Sequence, residues 1–466
     1  MLKRIITFIL AVSFVLAVPV GSGAEFMPDV EPKSDAVFMV NIDTDICVYQ
    51  KNATKKEWPA SITKIMAALV VLDTIKNLDE EVKISYDATD EFWTDDRNKR
   101  SPSNAALEPG QKGITFRDCL YALLIASACE AANILAINTA GSIEGFADMM
   151  NATAARLGCV NTHFSNAHGL YEPDNWSCAY DMYIITRYTY ETYPEFARII
   201  SSTEHTFPAN TANPQAYVKR NTNKLIQNTQ GNEFYYEPAF GVKTGSFPEI
   251  YDTATGAVSE GVATLVSMAE KGGFTYILVT LGAPYHSPDD ASEFAGYSFQ
   301  DHIDLYNWAF GTLSYRTVIS KDEIIASINV LQGENADQVQ LKPATDFATL
   351  LPKVDGDDKS LLRLDVQKFE EEIVAPVKQG SPIGRLTVYL ANEPIGVIDL
   401  VAAYDVERSQ TAYAAEQAKR ITQQPFFKAL VAIIIFLIIA GIVVGQINRV
   451  KKAKARAAKR KSTPKY

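Results

Sequence analysis

The sequence predicts an α/β sandwich, then a small all-β domain and a transmembrane helix. Up to about Arg316, strand-forming segments at both ends enclose a block of helices, which is the order expected when helices pack on one sheet. Beyond Arg316 the chain changes to short strand-like runs broken by Gly, Pro and Asp. Near the C-terminus, Ala429 to Ile447 forms an apolar run of about 19 residues, long enough to cross a bilayer.

The N-terminal segment predicts export. Lys3 and Arg4 precede the apolar run Ile5 to Val20, and the small residues Gly21 to Ala24 follow. This order is typical of a secretory signal peptide, here residues 1–24. An uncleaved N-terminal anchor is the alternative, and either one places the bulk of the chain outside the cytoplasm.

The C-terminal end predicts a membrane anchor. The apolar run is followed by basic residues with no acid among them: Arg449, Lys451, Lys452, Lys454, Arg456, Lys459, Arg460, Lys461 and Lys465. By the positive-inside rule, residues 448–466 should be a cytoplasmic tail, 426–447 the transmembrane helix and 406–425 a helical stalk. A buried core helix is the alternative. Without the basic tail and the signal, the net charge falls from -11 to about -22, which should repel nucleic acid.

Turns, caps and spacing assign the elements of the first domain. A hairpin is expected from Asp35 to Gln50, and a helix from about Ser61 to Asn77 follows Pro59, so Ser61 lies at a helix N-terminus. Thr115 with Asp118 forms an N-cap signature. Further helices are expected at Phe116 to Ala126, Ala131 to Ala140 and Ile143 to Leu157, and strands at Gly261 to Ala269 and Thr275 to Leu281.

The small β domain is predicted to end near Tyr404. Its strand-like runs are Ile324 to Val330, Val339 to Leu341, Leu386 to Leu390 and Ile395 to Val401.

The sequence predicts neither disulfides nor a cofactor. Its five cysteines are odd in number and lack a framework spacing. It contains no H-E-x-x-H motif, no Cys pair at zinc spacing and no phosphate-binding loop. No metal is expected either.

Ser61 and Lys64 form the first chemical motif. A separation of three residues on a helix places the hydroxyl and the amine on one face, within hydrogen-bonding reach. A Ser hydroxyl needs a neighbouring base to become a good nucleophile, and Lys serves only if burial or nearby cations lower its pKa from about 10.4. The spacing alone is weak evidence, but its position after Pro59 strengthens it.

Two further motifs follow in order. Ser127-Ala128-Cys129 lies where two predicted helices meet, and Lys243-Thr244-Gly245-Ser246 precedes strand-forming sequence. Each alone is compatible with a loop or a packing feature. Together with Ser61 and Lys64 they resemble the S-x-x-K, S-D-N and K-T-G set of penicillin-recognising serine enzymes, with Ser127-Ala128-Cys129 in the place of S-D-N.

The chain resembles the low-molecular-mass penicillin-binding proteins, the serine-type D-Ala-D-Ala carboxypeptidase family. The likeness covers about Ala36 to Asp405. The similar segments are Pro59 to Met66, Asn161 to Phe164, His168 to Leu170, Ser177 to Met182 and, in the small β domain, Ala375 to Val377 with Gly380.

The resemblance implies a fold and a reaction. Residues 25–316 should be a β-lactamase/transpeptidase-like α/β sandwich, and residues 317–405 the small β domain that usually follows. The reaction should be removal of the terminal D-Ala from peptidoglycan pentapeptides, with β-lactams as inhibitors. Ser61 would attack the carbonyl between the D-alanines, Lys64 would be the general base, and Ser127 would relay a proton to the leaving D-alanine.

The same resemblance implies the substrate-binding residues. Lys243 and Thr244 would hold the terminal carboxylate, and Gly245 would allow close backbone approach. The backbone N–H groups of Ser61 and Ser246 would form the oxyanion hole.

This sequence departs from the family pattern at two positions. Cys129 stands where relatives usually have Asn, and a thiol cannot both donate to and accept from a substrate amide as a carboxamide does. Asn133 is a candidate for that contact. Thr222 stands where relatives often have Arg, and Arg220 is a candidate for the missing cation. Cys129 itself is either a buried apolar filler or a reactive thiol.

Three other functions are compatible with parts of the pattern. A β-lactamase would need a carboxylate to activate water, which Glu172 or Asp174 could offer. A catalytically weak peptidoglycan-binding surface protein would explain Cys129 and the absent Arg. A D,D-transpeptidase would pass the same ester on Ser61 to an amine instead of water.

Overall fold

The computed structural model describes residues 28–92, 102–251, 258–288, 294–353, 361–390 and 393–461. The predicted signal peptide and the end of the basic tail lie outside these residues. The chain divides into two compact units at Arg316. The first unit also includes Thr349–Leu362 and Leu390–Glu393. The second unit consists of Thr317–Ala348, Arg363–Tyr389 and Pro394–Tyr466.

A five-stranded antiparallel sheet with the strand order β2-β1-β7-β6-β5 forms the centre of the first unit. Its strands are β1 (Ala36–Asn41), β2 (Ile46–Lys51), β5 (Ala239–Tyr251), β6 (Val258–Lys271) and β7 (Phe274–Pro284). A separate pair consists of β3 (Glu204–Phe207) and β4 (Tyr217–Arg220). The predicted hairpin is confirmed as β1 and β2, and the two predicted strands are confirmed within β6 and β7. Strand β5 lies at the sheet edge.

Seven helices in the described part of the first unit complete the α/β sandwich. They are α1 (Thr63–Thr74), α2 (Phe116–Leu124), α3 (Cys129–Ala140), α4 (Ile143–Arg156), α5 (Ala179–Thr192), α6 (Pro194–Ile200) and α7 (Tyr297–Thr312). Helix α1 is the central one, because ten of its twelve residues are buried.

The helix boundaries differ from the predicted ones where the backbone leaves helical geometry. The α-helix begins at Thr63, because Ser61 lies in a short 3-10 turn, Ala60–Ile62, and it stops at Thr74 because Ile75 is extended. Helix α3 begins two residues earlier than predicted, after the left-handed Ser127 and the extended N-cap residue Ala128. The predicted cap at Thr115 is confirmed as a capping box, in which the Thr115 hydroxyl accepts from the Asp118 N–H and the Asp118 carboxylate accepts from the Thr115 N–H.

The second unit is built on a six-stranded sheet with the order β12-β14-β15-β10-β9-β13. Its strands are β9 (Ala326–Leu331), β10 (Gln338–Pro343), β12 (Leu362–Lys368), β13 (Glu372–Val374), β14 (Pro382–Leu390) and β15 (Glu393–Ala402). A two-stranded sheet pairs β8 (Leu313–Ile319) with β11 (Phe347–Pro352), and the division of the chain falls within these strands. The predicted small β domain is therefore confirmed as a β structure.

Two helices follow the strands of the second unit. Helix α8 (Gln410–Gln423) is capped by the Ser409 hydroxyl, and α9 (Pro425–Lys461) follows. Among the described residues, one helix segment, Pro425–Arg456, is long and apolar enough to cross a membrane. Its apolar side chains are not covered by other described parts of the chain.

A buried polar cluster joins α7 to the sheet. His302 is fully buried, with Nδ1 at 2.6 Å from Ser267 Oγ and Nε2 at 3.0 Å from Thr280 Oγ1. The Tyr306 hydroxyl lies 2.8 Å from the same Ser267 Oγ. Burial lowers the pKa of His302 from 6.5 to about 3.

The cluster should make folding stability depend on pH. Between pH 6.5 and pH 3 the unfolded chain binds a proton at His302 and the folded chain does not. The contribution of His302 to the free energy of unfolding is therefore fully present above pH 6.5 and is lost on acidification. At pH 5 this one residue should lower the free energy of unfolding by about 2 kcal/mol. Urea unfolding of the full-length chain in detergent at pH 7 and pH 5 measures the loss.

A His302→Asn variant is the matched control, because the amide forms hydrogen bonds but does not titrate in this range. Other groups titrate equally in both proteins, so the variant should lose about 2 kcal/mol less than the unmodified chain on going to pH 5. Equal losses would show that His302 is not the sensor.

Candidate active site

Ser61 lies in a tight turn held against the sheet. Ala60, the residue before it, has a left-handed backbone with φ of 49°. The Thr264 hydroxyl on β6 donates to the Pro59 carbonyl at 3.0 Å. The turn therefore presents Ser61 at a defined point beside β5 and β6, immediately before α1.

Lys64 meets Ser61 from inside the fold. Its side chain is fully buried, and Nζ donates to Ser61 Oγ at 2.9 Å. Nζ also donates to the His168 carbonyl at 2.5 Å and lies 3.5 Å from Cys129 Sγ. Burial lowers the pKa of Lys64, an effect that Cys129 and Glu130 partly oppose. The buried amine can thus be neutral nearer physiological pH than an exposed lysine.

Ser127 and Cys129 lie between α2 and α3. Ser127 has a left-handed backbone with φ of 60°, a sparsely populated conformation for a residue with a side chain and one often found at functional sites. Cys129 is the first residue of α3 and is fully buried. Burial raises the pKa of its thiol, so the neutral thiol is favoured over the thiolate. Its placement fits a buried thiol that contacts Lys64 better than a reactive nucleophile.

The Lys243 to Ser246 motif lies on the edge strand β5. The Lys243 side chain is buried, and Nζ donates to the Thr244 carbonyl at 2.9 Å. Burial, with a contribution from Lys64, lowers the pKa of Lys243 well below 10.5. A side chain at Gly245 would place its Cβ 2.8 Å from the Ser61 backbone nitrogen. Glycine therefore allows the close approach of β5 to Ser61 that the sequence predicts.

A cavity of about 210 Å³ opens between these segments. The predicted residues that line it are Ser61, Ser127, Thr244, Gly245 and Ser246. Lys64, Cys129 and Lys243 are nearly inaccessible and lie behind its wall. Cys129 is thus placed beside Lys64 rather than on the cavity surface, where a direct substrate contact would require it.

Lys224 is a cavity residue that the sequence did not single out. Among the described lining residues it carries the one formal charge. Its Nζ lies 5.2 Å and 5.3 Å from the ring centroids of Phe234 and Phe294. The Thr222 hydroxyl, two residues earlier, lies 2.6 Å from the Thr244 hydroxyl. The sequence could have indicated Lys224, because it lies two residues after Thr222, the position where relatives often have Arg.

The two residues expected to compensate for the departures lie elsewhere. Arg220 is exposed on β4, with Nε 3.8 Å from Glu204, and is not among the described lining residues. The Asn133 amide nitrogen donates to the Ala88 carbonyl at 3.3 Å and to the Glu91 carboxylate, and Asn133 is not among the described lining residues of the cavity. Both candidates are therefore corrected: Asn133 is held by Ala88 and Glu91, and Arg220 projects from another sheet.

His168 lies in a turn. Its Nδ1 accepts from the Leu170 N–H at 3.0 Å, and Nε2 lies 3.1 Å from the Glu91 carboxylate. The two ring nitrogens are thus engaged by Glu91 and by the Leu170 N–H, while the His168 carbonyl accepts from Lys64. Glu172 and Asp174, the carboxylates a β-lactamase would need, are not among the described residues that line the cavity.

No group of three or more potential metal ligands occurs in the described ranges of the chain. The five cysteines all lie in these ranges and are free thiols.

Comparison with known proteins identifies the family. A family model described as D-alanyl-D-alanine carboxypeptidase matches residues 24–285, more than half of the chain. The chain belongs to this family. It is therefore a serine-type D-Ala-D-Ala carboxypeptidase, in a family for which serine acyl-enzymes and penicillin binding are characteristic. A second model, the C-terminal domain of penicillin-binding protein 5, matches residues 313–408.

Individual relatives agree with this assignment. The chain is 25% identical to the D-alanyl-D-alanine carboxypeptidase DacF of Bacillus subtilis over 385 residues, covering 81% of this chain and 87% of the relative. It is 28% identical to DacC of Escherichia coli over 360 residues, covering 76% and 80%.

Solved structures show the same fold. The carboxypeptidase DacD from Francisella tularensis matches with a TM-score of 0.60 and 20% identity, covering 85% of this chain and all of that one. The Streptomyces K15 DD-transpeptidase matches with a TM-score of 0.50 and 27% identity, covering 61% of this chain and all of that one. The predicted β-lactamase/transpeptidase-like sandwich is thus confirmed.

Proposed function

We propose that this carboxypeptidase removes the terminal D-Ala from peptidoglycan pentapeptides through an ester formed on Ser61. The observation that carries the proposal is the pair of Ser61 and Lys64. The Ser61 hydroxyl faces a cavity and meets, at 2.9 Å, a buried amine whose pKa is lowered. A nucleophile beside its base is what acyl transfer requires.

The proposed reaction has two steps. Ser61 Oγ attacks the carbonyl carbon between the two D-alanines, and its proton passes to Lys64. The C–N bond then breaks, and a proton delivered through Ser127 leaves with the D-alanine amine. Water attacks the ester in the second step and releases the shortened peptide and the Ser61 hydroxyl.

Strand β5 is proposed to bind the peptide and the developing oxyanion. Because it is the edge strand of its sheet, its outer backbone groups can pair with an extended peptide. The backbone N–H groups of Ser61 and Ser246 are proposed as the oxyanion hole, with Gly245 allowing the close approach of the two segments.

Hydroxyl groups and Lys224 are proposed to bind the substrate carboxylate. Thr244 and Thr222 are hydrogen-bonded to each other beside the cavity, and Lys224 brings a cation to the same segment. Lys243 is proposed to act from behind the wall, by donating a hydrogen bond to the Thr244 carbonyl. Cys129 is proposed to affect the reaction through its contact with Lys64 Nζ, not by touching the substrate.

Replacing Lys224 with Met should raise the KM for a pentapeptide by about three- to tenfold and leave kcat nearly unchanged. The reason is that an exposed charge binds substrate and transition state alike, and its contribution is reduced by solvent. Steady-state release of D-alanine measures both constants.

Lys271→Met is the matched control, because Lys271 is exposed in the β6–β7 turn. Its removal lowers the net charge equally and should leave the KM unchanged. Similar KM values for the two variants would argue that long-range charge, not contact with Lys224, attracts the substrate.

The domain organisation is proposed to follow the family. Residues 25–316 would be the catalytic domain, 317–405 the small β domain, 406–425 the stalk, 426–447 the transmembrane helix and 448–466 the basic tail. The division at Arg316 and the long apolar α9 support these boundaries. With a signal peptide at residues 1–24, the catalytic domain would face the cell wall and the C-terminus the cytoplasm, so that peptidoglycan stem peptides and β-lactams are within reach.

The function is tested with the full-length chain in detergent. Benzylpenicillin should form a covalent adduct, found by mass spectrometry on the peptide that contains Ser61. A synthetic pentapeptide ending in D-Ala-D-Ala should lose one D-alanine, and added glycine measures how much ester passes to an amine. Folded protein that gives neither adduct nor D-alanine would support a binding protein without turnover and refute the proposal.

A further inference from the structure

A second concave site lies on the first unit. A groove of about 380 Å³ is lined by Lys55, Lys56, Glu57, Trp58, Pro173 and Trp176, and is called here the Trp groove. Its described lining residues are not shared with the cavity at Ser61. The reaction proposed above uses none of them.

The walls of the Trp groove are held by backbone ladders. Glu57 and Ser177 exchange two backbone hydrogen bonds, at 2.8 Å and 2.9 Å, and the Trp176 N–H donates to the His163 carbonyl at 3.0 Å. The Trp58 ring lies edge-on to Tyr171 with the centroids 5.2 Å apart. Both indoles are thus positioned before any ligand arrives, which lowers the entropic cost of binding.

The lining combines flat apolar surface with polar groups. Both indoles are only partly buried, and flat aromatic faces suit the C–H faces of sugar rings. Lys56 Nζ lies 4.7 Å from the Trp176 ring centroid, and Lys55 forms ion pairs with Asp35 and Glu57 at 2.7 Å and 2.6 Å. Lys56 thus stands over the Trp176 ring and has to move aside for a sugar to stack there. Its ammonium and the other charged groups of the lining can then form hydrogen bonds to sugar hydroxyl and acetamido groups.

The covalent structure of the substrate indicates what would occupy the groove. Trp58 precedes Ser61 by three residues, so their Cα atoms are at most about 11 Å apart. In a pentapeptide stem, four residues separate the cleaved carbonyl from the amino sugar, and they span at most about 14 Å. The sugar that carries a bound stem is therefore within reach of the groove.

The direction of the stem agrees with this reach. A stem whose carboxylate lies at Thr244 and Thr222 would run along β5 past Ser246 to Phe247. The Phe247 ring lies 6.3 Å from Tyr171, which in turn contacts Trp58. A row of aromatic rings thus leads from the catalytic strand to the groove.

We propose that the Trp groove binds the glycan strand of peptidoglycan, through its N-acetylated amino sugars, while the attached stem occupies the cavity at Ser61. This proposal rests on the proposed function, because it takes the glycan-linked stem as the substrate. Contact with the glycan would make the enzyme prefer stems on polymeric peptidoglycan to free peptides.

The test compares two substrates. Trp176→Ala should lower kcat/KM for pentapeptide stems on polymeric peptidoglycan by about tenfold, the loss of one good aromatic contact, and leave kcat/KM for a free pentapeptide unchanged. Trp176→Tyr keeps an aromatic face and should keep most of the preference. Tyr86→Ala removes an aromatic side chain that is 73% exposed and lies outside the groove, and it should change neither value.

A direct binding measurement does not depend on any variant. A peptide-free tetramer of N-acetylglucosamine, added to the unmodified chain, should shift the NMR signals of the Trp58 and Trp176 indole N–H groups. Absence of these shifts at millimolar tetramer, or equal effects of Trp176→Ala on both substrates, would overturn the glycan proposal. Failure of the unmodified chain to form the penicillin adduct and to release D-alanine from either substrate would instead overturn the proposed function.

Discussion

Replacing Lys64 with Met should slow the acylation of Ser61 by benzylpenicillin about a thousandfold and leave the fold intact. Met has a similar length and suits a fully buried site, so the change removes the base with little change in packing. General-base assistance contributes about 10²- to 10⁴-fold to such steps. The buried His168 carbonyl loses a donor, which should cost about 1–3 kcal/mol of stability and is offset by no longer burying an amine.

The time course of adduct formation by mass spectrometry measures this rate, and Ser61→Ala gives the zero level. The acylation rate of the unmodified chain should rise with pH as Lys64 loses its proton. Because burial lowers the Lys64 pKa, the rise should occur below 10.5. The Lys64→Met variant should lack that rise. If the acylation rate of the Lys64→Met variant lay within tenfold of the rate of the unmodified chain, another group would have to be the base.

Replacing Gly169 with Ala should destabilise the protein and slow the acylation of Ser61. Gly169 has φ of 74°, and an added Cβ would lie 2.0 Å from the Ala60 carbonyl oxygen and 2.9 Å from Thr63 Cβ. The obstructing atom is backbone, so the turn that carries Ser61 must move. We expect the free energy of unfolding to fall by about 3 kcal/mol or more, because steric strain adds to an unfavourable φ.

Gly110→Ala is the matched control. Gly110 has φ of 77°, and no described atom lies within 4 Å of an added Cβ, so only the backbone cost of about 1–2 kcal/mol remains. Urea unfolding and the acylation rate of the folded fraction should be measured for both variants. Equal losses of stability would show that the turn at Ala60 tolerates the extra atom, and the expected displacement of the Ser61 turn would be wrong.

Much of the site could be predicted from the sequence because its first motif is local. Ser61 and Lys64 are brought together by helical spacing, which needs no long-range contact. The capping box at Thr115 and the apolar run of α9 are local for the same reason. The resemblance to a known family then extended these local signals to Ser127 and to Lys243 through Ser246.

The surroundings of Lys64 could not be predicted from spacing. Its contacts with Cys129 and with the His168 carbonyl join residues 65 and 104 positions apart. Only the packing of α1 against α3 and the His168 turn shows that Cys129 contacts Lys64 rather than the cavity. The same holds for Asn133, whose amide is held by Ala88 and Glu91.

The sequence by itself predicted the fold class from its caps and apolar runs, and the family from the resemblance of its motifs. It also predicted that Ser61 and Lys64 lie together, because helical spacing acts between neighbours along the chain. The tertiary structure decided which side chains reach the cavity. Lys243 and Cys129 are buried behind its wall, whereas Lys224 lines it and Arg220 does not. The physical reason is that the burial of a side chain and the direction in which it points depend on packing between segments far apart in sequence. No local sequence pattern encodes that packing.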